Sequence, residues 1–363
     1  MFRALGLLAF ATCIVVGSAS RAAALCIPSF PYDDGWLGGD AAYSIRLSDT
    51  KSVWLFGDSF IGDPGRKTRS GSKMVSNTIA ISSCANGSWS IRYYWRSRGA
   101  KVPQPFFTSL VAQFHYWPLD GFYVNGMLYV ALAKIVDLPK GGPFGFEMIG
   151  VRLAKISSPL DDPTRWTINY LDLSDSRVAF PGVTTIVSRD YVYLYAVLDD
   201  AQDKSHPMIL ARIAIAQLDR PRDSIRYLTN DGAWKAGIDL KNARIIIDRG
   251  ATEMSVRYHA SINKWIAVQN GPQPLSREIV IRKAPALEGP WSAPEPIYSF
   301  PEMSKGNPRF DRDTFCYAAK EHTEFTSATG STAVTYVCNS LELGKQIGNM
   351  SIYRPQLFER NIR

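Results

Sequence analysis

Five times along the chain the same pattern returns: a polar or acidic residue, a strand-like run, a tight turn and an aromatic-rich strand-like run. The units are DAAYSIRLSDTKSVWLFGD from Asp40, DGFYVNGMLYVALAKI from Asp120, GVTTIVSRDYVYLYAVLD from Gly182, EMSVRYHASINKWIAVQN from Glu253 and CYAAKEHTEFTSATGSTAVTYVCN from Cys316. Their starts lie 80, 62, 71 and 63 residues apart. A further β-rich run follows each of the first four: 77–82, 150–156, 208–214 and 279–284. A Trp often sits nearby, at 89, 166, 234 and 291. Self-similarity at a fixed period marks a fold whose units bury their faces against one another. A four-stranded unit of this kind predicts an all-β protein, a five-bladed β-propeller of four-stranded antiparallel blades. Two separate sandwiches would need a linker, and no Ser/Gly-rich or charged break divides the chain.

Composition supports many short strands and turns. Aromatics reach 12%, with 27 Gly and 22 Pro, and no long run shows clean helical periodicity. Residues 1–24 read as a signal peptide: Arg3 opens it, Leu5–Val16 is apolar, and Ala22-Ala23-Ala24 offers a cleavage site. The expected domains are therefore this signal, 1–24, and one propeller, 25–363. The expected location is secreted or periplasmic, with no membrane span after cleavage. Of the five cysteines, Cys13 leaves with the signal. Cys316 and Cys338 flank one predicted hairpin and are paired on that ground, which leaves Cys26 with Cys84. The net charge is +8, or +6 without Arg3 and Arg21. The basic residues are scattered and not interleaved with stacking aromatics, which excludes a nucleic-acid interface. The expected partner is a polysaccharide substrate, and the protein is expected to be a monomer. No cofactor is expected, with a channel-bound cation such as calcium left open.

In a propeller the innermost strands line a central channel, so residues at equivalent ends meet at its mouth. Asp40, Asp120 and Glu253 open three units in phase. Three carboxylates at one mouth suit glycoside hydrolysis, which needs one carboxylic acid to protonate the leaving oxygen and one carboxylate to activate water or attack carbon. Crowding would keep one of them protonated near neutral pH. Trp117 and Tyr258 are candidates to stack on sugar faces. Asp58, Arg257, His322 and Arg354 are candidates to bind sugar hydroxyls. His115 and His259 are read as structural.

A competing motif lies at Phe56-Gly57-Asp58-Ser59, which looks like the first block of the GDSL-type esterases, with Asp203-Lys204-Ser205-His206 in place of their Asp-x-x-His pair. The turn-forming Gly62-Asp63-Pro64-Gly65 follows at once, where that family starts a helix. The Gly-x-Asn-Asp block expected between serine and histidine is missing. A GDSL-like esterase using Ser59 is thus the lesser alternative, and a non-catalytic glycan-binding propeller is the other.

Further blocks carry a family resemblance. Gly38-Gly39-Asp40 with Val53–Asp58 resembles the opening of a secreted bacterial family, domain of unknown function 4185, and Tyr116–Gly121 resembles its second block. Phe144-Gly145-Phe146, Glu253–Tyr258, Gly289-Pro290-Trp291, Tyr317–Lys320 with His322, and Tyr353-Arg354-Pro355 resemble later ones. The resemblance implies a five-bladed propeller and, from some members, an endo-D-arabinanase acting on a furanose polymer with inversion. It would make Asp40 the base, Asp120 the orienting carboxylate and Glu253 the general acid, with permutation of these roles open. Ala41-Ala42 depart from the Gly-rich segment expected after Asp40, and Ser59 stands where Thr is common.

Overall fold

The computed structural model describes residues 26–97, 102–139, 145–198, 205–327 and 330–362. The expected signal, 1–24, and Phe144, Asp203 and Lys204 of the motifs above lie outside them. The described chain forms five antiparallel sheets in sequence order. The first holds β1 (Trp36–Arg46), β2 (Lys51–Ile61), β3 (Lys73–Val75), β4 (Thr78–Ala85) and β5 (Ser88–Tyr94). The second holds β6 (His115–Val124), β7 (Met127–Asp137), β8 (Phe146–Ser157) and β9 (Thr167–Ser174). The third holds β10 (Ala179–Ser188), β11 (Tyr191–Leu198), β12 (Met208–Ala214), β13 (Arg226–Leu228), β14 (Trp234–Lys235) and β15 (Ile245–Ile247). The fourth holds β16 (Met254–His259), β17 (Lys264–Asn270), β18 (Glu278–Ala284) and β19 (Glu295–Ser299). The fifth holds β20 (Thr314–His322), β21 (Ser331–Ser340) and β22 (Pro355–Asn361).

This is an all-β five-bladed propeller. The innermost strands β1, β6, β10, β16 and β20 each lie against the next, and β20 returns to β1. The cores lie between blades: Tyr43, Leu55 and Leu132 join the first two, Val183 and Val256 the third and fourth, and Ile266 and Val334 the last two. Blade size departs from the four-strand rule in three places. Blade one gains the short β3, blade three gains β14 and β15, and blade five has three strands among the described residues.

Side chains rather than a shared strand therefore close the ring between blades five and one. Trp54 stacks on Phe325 at 5.6 Å. His322 bridges Ser44 and Thr335, at 2.6 and 2.7 Å. Arg69 is 1% exposed and donates to the carbonyls of Leu37, Gln346, Asn349 and Ile352 at 2.6–2.9 Å. With the Tyr32 hydroxyl at 3.1 Å these acceptors fill its five donors, which offsets its burial and ties the segment before β22 to β1. Cys26 is joined to Cys84 and Cys316 to Cys338, the latter pair directly opposed on β20 and β21. No helix among the described residues is long and apolar enough to cross a membrane.

The inner strands start earlier than the repeat predicts, so the acidic residues do not stand at strand starts. Asp40 and Asp120 sit inside β1 and β6, where the pairing register shifts. Similar irregularities fall at Gly182-Val183 and Ala318-Ala319. A bulge puts an extra residue on one strand and re-aims its side chain. Glu253 alone keeps its predicted place, one residue before β16.

Candidate active site

Asp40 projects from the β1 bulge toward blade five, where the Tyr317 hydroxyl donates to its Oδ2 at 2.7 Å. Its other oxygen lies over Gly57 on the paired strand: a Cβ there would stand 2.4 Å from Oδ1. Glycine at 57 is what lets the carboxyl lie flat against β2. Burial, then the charges of Asp58 and Glu253, raise the Asp40 carboxyl well above the ordinary range, against the pull of Tyr317 and Lys320. Asp58 is pushed up to about 7 by burial, with Asp137 adding, while Trp117 opposes the shift. The Trp117 indole N–H donates to Asp58 Oδ1 at 2.9 Å. Phe146 and His115 pack on the Trp117 ring, at 4.6 and 5.8 Å.

Glu253 pairs with Lys320, Nζ to Oε1 at 3.0 Å. The same ammonium donates to the carbonyls of Ala41 and Ala318, at 2.8 and 2.9 Å, and lies 4.3 Å from the centre of the Tyr43 ring. Both alanines are left-handed, at φ 68° and 63°, as is Ala42 at 61°. Side-chain-bearing residues resist that region by roughly 1–2 kcal/mol each. Glycine would avoid this strain, which explains the Gly-rich expectation after Asp40. Here the kinks turn two carbonyls onto Lys320, and burial lowers the pKa of its ammonium. Tyr353 is buried, and after burial the charges of Asp40 and Asp58 do most to raise its phenol, which places that ring by the same carboxyls.

The structure brings Asp40, Asp58, Glu253 and Trp117 together and separates the other predicted site residues from them. Asp120 is fully buried, against the expectation that it faces the mouth. It accepts from the Gly121 and Thr185 amides and the Thr184 hydroxyl at 2.8–3.1 Å, and Arg257 lies 3.3 Å away. It locks blade two to blades three and four. Arg257 is thereby engaged in the wall, also donating to Thr184 and the Val256 carbonyl. Tyr258 lies past it, at the far end of β16, and lines a cavity at the opposite mouth. His322 is 1% exposed with both ring nitrogens engaged, so it is a core residue and not a sugar ligand. The Arg354 guanidinium lies 4.9 Å from the Tyr32 ring centre, beside the Arg69 cluster. His259 pairs with the buried Glu321 at 2.8 Å, a structural role, whereas His115 reaches the Trp117 wall.

Ser59 carries no nucleophile. It is fully buried in β2, its hydroxyl donates to the Gly57 carbonyl, and Thr78 Oγ1 is 2.9 Å away. His206 belongs to blade three, between β11 and β12. The esterase reading is corrected on those grounds. One grouping of metal-type ligands, Glu302 with Cys316 and Cys338, has its thiols tied in the disulfide.

Tyr317, Lys320, Tyr353 and Phe146 are the residues that sequence reasoning left without a role. All four belong to blocks quoted above only for resemblance. Their signal was present: Tyr317-Ala-Ala-Lys320 falls in blade five at the phase that Asp40 holds in blade one.

Fold and site together define a five-bladed propeller with crowded carboxyls from different blades at one channel mouth. The family model of a domain of unknown function, DUF5005, matches residues 30–360. The chain belongs to that family, which overturns the resemblance to domain of unknown function 4185 and removes the ground for an endo-D-arabinanase. No curated protein matches the chain. Among solved structures it is similar to a Bacteroides ovatus protein whose assignment as a hydrolase is provisional, at 16% identity, covering 90% of this chain and 86% of that one, with a TM-score of 0.70. It is also similar to a xylan β-1,4-xylosidase of Bacillus halodurans, at 10% identity and TM-score 0.51, covering 92% of this chain. The match spans 54% of that xylosidase. These likenesses describe the fold.

Proposed function

We propose that the protein is an exported glycoside hydrolase that cleaves a polysaccharide at the mouth holding Asp40, Asp58 and Glu253. The observation that carries this reading is a pair of carboxyls with opposite surroundings. Asp40 is crowded by two carboxyls and shielded from water, which keeps a proton on it. Glu253 instead faces the Lys320 ammonium at 3.0 Å, a charge-assisted contact that fixes the direction of its carboxyl. Asp40 then protonates the glycosidic oxygen, and Glu253 takes a proton from the attacking water. This reverses the roles that the resemblance assigned. Asp58 holds Trp117, whose ring offers a sugar platform between Phe146 and His115. Similarity in fold to a named xylosidase agrees with a carbohydrate substrate.

The polymer, expected to be arabinan-like, and the inverting outcome both rest on the overturned resemblance, so each enters the test on equal terms with its rivals. Reducing-sugar release is to be measured on arabinans, xylans, galactans and bacterial cell-wall glycans, with Asp40→Asn and Glu253→Gln as controls. The product anomer is to be read by NMR. Loss in both variants supports the reading. An aryl glycoside with a good leaving group needs no acid, so it is expected to spare Asp40→Asn relative to Glu253→Gln. Hydrolysis that survives both substitutions refutes the reading. Saturable glycan binding without hydrolysis would make the protein a glycan-binding propeller.

A further inference from the structure

The channel has a second mouth. A cavity of about 390 Å³ lies there, walled by the C-terminal ends of the inner strands, from Ser44–Arg46, Thr185–Val187 and Val256–Tyr258. The carboxyl site draws instead on Asp40 and on Glu253, which precedes β16. Between the two lie Asp120, Thr184, Ser255 and Glu321 of the inner strands, each at most 1% exposed. A ligand at one mouth therefore does not reach the other.

This second mouth carries its own recognition groups. Tyr258 is 46% exposed and its ring lies 5.2 Å from that of Trp265, which also lines the cavity. Glu324 lines it too: burial raises its carboxyl above the ordinary range against a hydrogen bond from Ser44, and its Oε1 is buried with no hydrogen-bond partner among the described residues. A buried acceptor left unpaired is destabilising, and a donor arriving with a ligand relieves that. Ser44 and Arg257 also line it but are engaged in the wall, Ser44 with His322 and Arg257 with Asp120 and Thr184, so Arg46, at the rim beside Asp49, is the exposed cation. The volume falls within the roughly 300–1,000 Å³ of small-molecule sites. An aromatic platform beside a buried carboxyl acceptor and a rim guanidinium fits a ring with an apolar face and many hydroxyls.

We propose that this cavity is a second carbohydrate site, which takes one neutral sugar ring stacked on Tyr258 with a hydroxyl donated to Glu324 Oε1. It anchors glycan and does no chemistry, and it does not depend on the carboxyl mouth being catalytic. The test is a titration of the Asp40→Asn protein with arabino-, xylo- and galacto-oligosaccharides, followed by calorimetry and by tryptophan fluorescence. Saturable binding to at least one of them is expected. Tyr258→Ala and Glu324→Leu should each weaken it about tenfold or more, the scale of one lost stacking or hydrogen-bonding contact. Trp117→Ala should leave that site intact. Tyr258→Ala in the otherwise native protein should still hydrolyse short oligosaccharides, so failure here reads separately from failure of the hydrolase reading. Binding insensitive to Tyr258→Ala and Glu324→Leu overturns the proposal. So does absence of binding by every oligosaccharide that is not abolished by Trp117→Ala.

Discussion

Asp58→Asn should stabilise the protein, and only at high pH. Burial pushes the Asp58 carboxyl up to about 7, from an ordinary value of 3.8. A value raised by folding means that the folded state holds the proton more tightly than the unfolded chain. Its favourable contribution is fully present below about pH 4 and is lost as pH rises through about 7. At about 1.4 kcal/mol for each tenfold change in proton affinity, the ionised side chain costs the fold about 4 kcal/mol at pH 8. Asparagine cannot ionise, and its carbonyl oxygen still accepts from the Trp117 indole. Urea unfolding followed by tryptophan fluorescence would compare the two proteins at intervals from pH 4 to 8.5. The Asp58 charge raises Asp40, so Asp40 ionises more easily in the variant and the difference at each pH reports the pair. The expected curve is near zero at pH 4 and rises to several kcal/mol in favour of the variant by pH 8. A difference that is flat with pH, or a wild type more stable at pH 8, would refute the claim that burial holds this carboxyl protonated.

Gly57→Ala should cost activity far more than stability, because the new Cβ meets Asp40 Oδ1 at 2.4 Å and must turn the carboxyl away; kcat falling with little change in Tm is the expected result. Lys320→Met removes the group that holds Glu253 and the Ala41 and Ala318 carbonyls in place, so kcat should fall, measured on whichever glycan the native protein hydrolyses. Arg69→Met leaves the Leu37, Gln346 and Ile352 carbonyls buried without their donor and should destabilise by about 3 kcal/mol or more, measured by urea unfolding. Asp40→Asn should lower kcat by about a hundredfold or more on natural glycans, the scale of a lost general acid.

The repeat made the propeller legible because blade packing writes a two-residue alternation and a turn into every unit. Asn125-Gly126, for example, takes φ values of 50° and 76° in the β6–β7 turn, the left-handed pair that such a hairpin needs. The phase of each acidic residue was legible too, but not its direction. A bulge at Asp40 aims that carboxyl at blade five, and a bulge at Asp120 turns an equivalent carboxyl into the wall, toward the Thr185 amide and Arg257. One residue of slippage in a strand changes which face a side chain meets, and nothing in the spacing alone reveals it. The same limit explains Asp58. It was read as an accessory because it ends a unit instead of opening one, yet pairing of β1 with β2 sets it beside Asp40. The site is therefore written less in the repeat than in its departures: two left-handed alanines where the backbone would prefer glycine, a glycine where Asp40 needs space, and a buried lysine that collects the carbonyls those kinks expose. Such local costs persist where the surrounding structure enforces them. Here they meet at Lys320, which places Glu253 and the backbone beside Asp40 in one hydrogen-bonded unit. That convergence is the physical reason to look for the chemistry at this mouth.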